Sequence, residues 1–201
     1  MIAIIDYGAG NLFSVQNALS YLGEPCVITK DKNQLEQADG LILPGVGAFP
    51  YAMEKLKETG LVSFLRQQAG KKPLLGICLG MQMLLEEGYE FAPTQGLGLI
   101  SGKVDRIPDT GLKIPHMGWN QLVVRQKDNP LMQGIQDGDS VYFVHSYMAY
   151  PKEEELTAYC EYGVPVPAFV SKGNVFGAQF HPEKSGEVGL QILRNFGGLT
   201  R

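Results

Sequence analysis

Four short apolar runs near the start of the chain constrain its fold most: Ile2–Ile5, Val27-Ile28, Leu41–Leu43 and Pro73–Ile77. Each is too short for a helix and too apolar to face water, so each predicts a buried strand. Between them lie segments with helical spacing. Leu12, Val15, Leu19 and Leu22 precede a stop at Gly23, and further helices are expected over Tyr51–Glu58, Leu61–Ala69 and Leu79–Glu87. Strands alternating with helices predict a parallel sheet covered on both faces. The second half changes character. Val141–Tyr147, Leu156–Glu161, Ala168–Val170 and Val175–Phe180 are β-rich, and Lys172-Gly173-Asn174 signals a hairpin. A last helix is expected over Gly186–Phe196, with Ser185 as its N-cap. No repeat or linker divides the chain. The expectation is one α/β domain over residues 1–201, with antiparallel strands added to a parallel core.

Composition narrows the function. The 201 residues carry a net charge of −4 and no long basic run, which argues against nucleic acid as a partner. No apolar stretch approaches the ~20 residues of a membrane span. The apolar run at the N-terminus has no basic flank and is too short for a signal peptide. Three cysteines, Cys26, Cys78 and Cys160, are widely spaced, with no CxxC pair and no metal-ligand cluster. A reducing, cytoplasmic setting fits this pattern, and no metal is expected.

Two segments hold the groups of a nucleophilic site. Cys78 lies in Gly76-Ile77-Cys78-Leu79-Gly80, where a strand is expected to end and a helix to begin. Its flanking glycines allow a sharp turn, as in the elbow of α/β hydrolases. The helix start at Leu79 would favour a thiolate. The same five residues also fit a buried structural cysteine between packing glycines. His181-Pro182-Glu183 follows an apolar strand. In an extended segment His181 and Glu183 point the same way, so the carboxylate can orient the imidazole. Taken alone, this motif reads first as a loop histidine beside a surface glutamate. Pro44-Gly45-Val46-Gly47 follows the third strand, and its glycines let backbone N–H groups turn toward an oxyanion. A simple strand-to-loop turn reads the same. His116 and His145 sit in apolar strand contexts with no nearby acid, as packed or interface residues.

Read in order, Pro44–Gly47, Gly76–Gln82 and His181–Glu183 give the chain motifs that resemble those of the class I, triad-type glutamine amidotransferases. Asp6–Asn11, Pro115–Asn120, Tyr142–Tyr147 and His181–Ser185 make it similar, more narrowly, to the glutaminase subunits of imidazole glycerol phosphate synthases. The resemblance implies a flavodoxin-like class I fold with a mixed central sheet flanked by helices. It implies Cys78 as nucleophile, His181 as base and Glu183 as its orienter. The oxyanion hole would be the Gly45-Val46 peptide with the Leu79 amide. Gly47, Gln82, Ser146 and Tyr147 would hold glutamine. Asn11, Trp119 and Lys184 would face a (β/α)₈-barrel cyclase in a heterodimer that makes imidazole glycerol phosphate and aminoimidazole carboxamide ribotide. No cofactor is implied. Other readings of the residues are a stand-alone cysteine hydrolase, a glutaminase serving a different synthase, and a binding subunit that kept the fold.

Overall fold

A computed structural model describes all 201 residues. The first half runs β1 (Ile2–Ile5), α1 (Leu12–Tyr21), β2 (Cys26–Thr29), α2 (Lys32–Gln37), β3 (Gly40–Gly45), α3 (Phe49–Glu58), α4 (Leu61–Gln68), β4 (Leu74–Cys78) and α5 (Leu79–Met83). The second half adds β5 (Glu87–Gly88), β6 (Thr94–Gln95), β7 (Gly102–Arg106), β8 (His116–Gln121), β9 (Val123–Val124), β10 (Ser140–His145), β11 (Tyr147–Pro151), β12 (Leu156–Glu161), β13 (Pro165–Lys172), β14 (Val175–Ala178) and α6 (Gly186–Gly198). Eight strands form the main sheet in the order β2-β1-β3-β4-β14-β13-β12-β9. The first five are parallel and the rest antiparallel. The expected mixed sheet with a parallel core is therefore present. A ribbon of β8 and β10 and a small sheet, β11-β7-β5-β6, stand beside it.

The strands are apolar on both faces because both faces are covered. Ile2 and Ile4 of β1, Ile42 of β3 and Leu75 and Ile77 of β4 pack toward Val15 and Leu19 of α1 and Ile192 and Phe196 of α6. Their alternates Ala3, Ile5, Leu41, Leu43 and Leu74 pack toward α2–α5, against Leu35, Phe49, Leu56, Leu65 and Met81. Each Ile or Leu side chain among them, fully buried, stabilises the fold by roughly 1.5–3 kcal/mol. On β4 the position after Leu74 on that second face is Gly76. A Cβ there would lie 2.7 Å from the backbone of Gly80, and a Cβ on Gly80 would lie 1.8 Å from the Leu43 carbonyl oxygen. The two glycines bring α5 into direct backbone contact with β3 and β4.

Several local expectations change. The helix expected over Leu79–Glu87 ends at Met83. The reason is competition for its last carbonyls: Met83, Leu84 and Leu85 accept N–H groups from Leu97, Leu99, Ile100 and Gly98 instead of from a continuing helix. The strand expected over Val141–Tyr147 breaks at Ser146, whose carbonyl accepts from Ile107, and β11 then joins a different sheet. β2 is an edge strand and only partly buried, and α2 was not evident from hydrophobic spacing. Its N-cap is Asp31, whose carboxylate accepts from Asn33 and Gln34.

The glycine packing gives a stability test. Gly80→Ala should cost about 3 kcal/mol or more, because the methyl meets backbone that cannot rotate away. Gly70, with open space around its Cβ position and no positive φ, serves as the control. Thermal unfolding should fall by roughly 6–12 °C for Gly80→Ala and by less than about 2 °C for Gly70→Ala. Equal midpoints would remove the close approach as a constraint.

Candidate active site

The three motifs meet because β3, β4 and β14 are adjacent and parallel. Gly45 pairs with Cys78 and Ala178 pairs with Ile77, so the chain leaves all three strands at the same edge of the sheet. That carboxyl edge is where open α/β sheets bind ligands. Cys78 sits at φ 55°, ψ −112°, one of two non-glycine residues with positive φ. A residue held there costs about 1–3 kcal/mol and persists only when its surroundings impose it. The contact of α5 with the sheet does so. The sulfur faces a cavity of about 290 Å³ lined by Val46, Gly47, Cys78, Leu79, Gln82, Glu90, Val144, His145, Ser146, Tyr147 and His181. A cavity of that size suits a small ligand. Every residue expected to hold substrate or oxyanion lines it except Gly45, which closes β3 directly before Val46.

His181 reaches Glu183 by a route other than the one expected. Residues Pro182–Lys184 form a single 3₁₀ turn, not an extended segment, and this turn folds the carboxylate back to the ring. His181 Nδ1 and Glu183 Oε1 are 2.8 Å apart, with both side chains almost fully buried. The His181 N–H donates to the Tyr142 carbonyl at 3.0 Å. Ser185 stands at the expected N-cap position of α6 but makes no side-chain capping bond; its Oγ donates to the His181 carbonyl at 2.6 Å and accepts the Tyr142 N–H at 2.9 Å. His181 is thus fixed to β10. Burial disfavours its imidazolium, but hydrogen bonding and charge from Cys78 and Glu183 outweigh that and raise its pKa to about 9. Glu183 Oε2 has no hydrogen-bond partner. A narrow crevice beside it is lined by Asn11, Gly45, Val46 and His181.

The loop after β3 presents free donors. Neither the Val46 nor the Gly47 N–H bonds to a protein acceptor. Gly47 has φ +96°, a left-handed conformation that glycine adopts without strain. Leu79 opens α5, so its N–H has no intrahelical partner. With only five residues, α5 brings little macrodipole to the sulfur. Tyr7 supports the loop from beneath, donating to the Pro44 carbonyl at 2.9 Å. Burial, then the charge of Cys78, raises the Tyr7 pKa, so the hydroxyl keeps its proton.

Glu90 and Gln179 were not among the expected site residues, and His145, expected only as a packed or interface residue, also lines the cavity. Glu90 lines the cavity, and its Oε2 accepts the Phe49 N–H at 2.7 Å at the start of α3. Nothing local marks it, because the two residues are 41 positions apart. Gln179 is fully buried, donates toward Cys78 Sγ at 3.9 Å and accepts from Gln82 Nε2 at 2.9 Å. Its signal was available: it is the one amide in the apolar run Val175–Phe180. Gln82 spends its other amide hydrogen on the Tyr147 carbonyl at 2.9 Å. Asn11, Trp119 and Lys184 lie outside the cavity. Trp119 is 59% exposed and packs edge-on against Tyr142. Lys184 is exposed on the 3₁₀ turn. The thiols of Cys26 and Cys160 are both pushed up by burial, Cys160 to about 12. No helix is long and apolar enough to cross a membrane.

Comparison with known proteins gives the family. The family model described as "Glutamine amidotransferase class-I" matches residues 3–197. The chain is 54% identical over 201 residues to "Imidazole glycerol phosphate synthase subunit HisH" of Bacillus cereus, covering 100% of this chain and 95% of that protein. It is 55% identical to the HisH subunit of Geobacillus kaustophilus, covering 100% and 97%. A solved structure described as a glutamine amidotransferase superposes with a TM-score of 0.77 at 22% identity, over 100% of this chain and 99% of the other, and shares the fold. The chain belongs to the class-I glutamine amidotransferase family, alongside the HisH subunits of imidazole glycerol phosphate synthase.

Proposed function

We propose that residues 1–201 form one glutaminase domain that hydrolyses the side-chain amide of glutamine by a Cys78-His181-Glu183 triad. The observation that carries this reading is the Glu183-bound His181 in the same cavity as a strained Cys78. The Cys78 thiolate attacks the carboxamide carbon, and the carbonyl electrons move to oxygen. We assign that oxyanion to the Val46 N–H of the Gly45-Val46 peptide and the Leu79 N–H, with the free Gly47 amide beside them. The protonated His181 gives its proton to the departing nitrogen, the C–N bond breaks, and ammonia leaves a thioester on Cys78. His181 then takes a proton from water, which attacks the thioester and releases glutamate. Glu183 holds the ring in one tautomer and stabilises its charge. Glu90 is the carboxylate that lines the cavity, suited to the ammonium of an amino-acid substrate. Gln82, Ser146 and Tyr147 line the wall that receives the rest of it.

Ammonia must be consumed before it is protonated, so the reading includes a second subunit. Its relatives carry the name of an imidazole glycerol phosphate synthase subunit. The partner we infer is the cyclase of that synthase, a (β/α)₈ barrel, joined as a heterodimer in the histidine pathway of the cytoplasm. Trp119 and Lys184, both exposed, and Asn11 beside the crevice under the oxyanion loop, are the residues we place toward it.

Cys78→Ala in the assembled complex should lower glutamine-dependent turnover by at least about 10³-fold. Turnover with added ammonium salt should persist. Loss of both would indicate a structural role for the thiol.

A pH titration checks the base. The His181 folded pKa of about 9 lies above the ordinary 6.5. Its contribution to stability is therefore complete below about pH 6.5 and is lost as pH rises through about 9. NMR of the full chain should give a His181 midpoint near 9 that moves down in Glu183→Gln. A wild-type midpoint near 6.5, unmoved by that substitution, would remove Glu183 as its partner.

A further inference from the structure

His116 and His145 have no part in the chemistry above, yet they lie directly opposite one another on the β8–β10 ribbon. On β8, His116 and Asn120 point inward, while Met117 and Trp119 between them are exposed. Both histidines are buried, and His116 is stacked between Phe143 and Tyr162, with ring centroids 4.7 and 4.0 Å away. A hydrogen-bond chain joins them. Asn120 Nδ2 lies 3.3 Å from His116 Nε2, His116 Nδ1 lies 2.9 Å from His145 Nε2, and His145 Nδ1 lies 2.8 Å from the Tyr147 carbonyl oxygen.

The direction of this chain is fixed at both ends. Asn120 Oδ1 accepts the Gln121 N–H at 2.8 Å, and Nδ2 donates to the Glu161 carbonyl at 3.0 Å, so the amide cannot be reversed. His116 Nε2 then faces an N–H and must accept. Its proton lies on Nδ1, which donates to His145 Nε2. That places the His145 proton on Nδ1, where it meets a carbonyl that can only accept. An additional proton on His116 would set N–H against N–H at Asn120, and one on His145 would do so at His116. Burial favours the same state, pulling the pKa of His116 down to about 4 and that of His145 to about 3.

The hydrogen-bond chain ends at the wall of the cavity. The main chain passes from the ribbon into the small sheet at Ser146. Ser146 and Tyr147 both line the cavity, and the Tyr147 carbonyl receives the His145 ring and the Gln82 amide together. We infer that His116 and His145 are positioning residues for the amide substrate: a one-way, neutral hydrogen-bond relay from Asn120 that sets the Tyr147 carbonyl and with it the 144–147 wall. The inference deepens the glutaminase reading and rests on it.

The chain has three histidines, 116, 145 and 181, so long-range ¹H–¹⁵N spectra of the full-length protein resolve each ring. At pH 7, His116 and His145 should both be neutral Nδ1–H tautomers, the minor form of free histidine. An Nε2–H tautomer or a protonated ring at either position would overturn the relay. In the complex, His116→Phe keeps the aromatic stack and deletes the donor. The KM for glutamine should rise about tenfold, the scale of one buried hydrogen bond, with a smaller change in kcat. His116→Asn, which returns an N–H near the Nδ1 position, should recover most of the loss. A lower unfolding temperature with KM unchanged, or no recovery in the Asn variant, would overturn the positioning role. The tautomer measurement needs no turnover. It decides the relay even where the wild-type complex hydrolyses no glutamine, a result that would fail the glutaminase reading instead.

Discussion

The closeness of α5 to the sheet governs the site. Gly80 lies against the Leu43 carbonyl and Gly76 lies beneath Gly80, so the chain has no room for a gradual exit from β4. It turns at Cys78 in a left-handed conformation. The strain of about 1–3 kcal/mol is offset by burial of Leu79, Met81 and Met83 against the sheet. Gly45 completes the arrangement, because a Cβ there would lie 2.7 Å from the Gly80 N–H nitrogen. One packing contact thus sets the thiol and the start of the oxyanion loop together.

The same cavity holds two buried histidines driven in opposite directions. His181 has an acid at 2.8 Å and rises to about 9. His145 has no acid, faces a neutral imidazole and falls to about 3. Burial acts alike on both, so the difference comes from their partners. The charged ring is suited to proton transfer and the neutral one to holding a carbonyl. Environments that separate the pKa values of like groups are a mark of divided roles.

Much of this was legible in the residues. Apolar runs at β1, β3 and β4 reported burial on both faces, and the glycines around Cys78 reported a tight approach. The pairing of His181 with Glu183 was expected, but for the wrong reason: a 3₁₀ turn makes the contact that an extended segment was expected to make. Non-local competition was not legible. α5 stops at Met83 because residues 97–100 take its final carbonyls, and Ser146 breaks a continuous β pattern because Ile107 binds its carbonyl. Glu90 enters the site through a hydrogen bond spanning 41 positions, and the His116–His145 contact depends on the register of two strands 29 positions apart.

Covalent trapping tests the central claim most directly. A glutamine analogue bearing an electrophilic diazo-ketone would be incubated with the full chain, and the modified peptide mapped. The cavity around Cys78 and the raised pKa values of Cys26 and Cys160 predict labelling at Cys78 alone, blocked by glutamine. Equal labelling of Cys26 or Cys160, or labelling that glutamine does not block, would contradict a glutamine-shaped site built on Cys78.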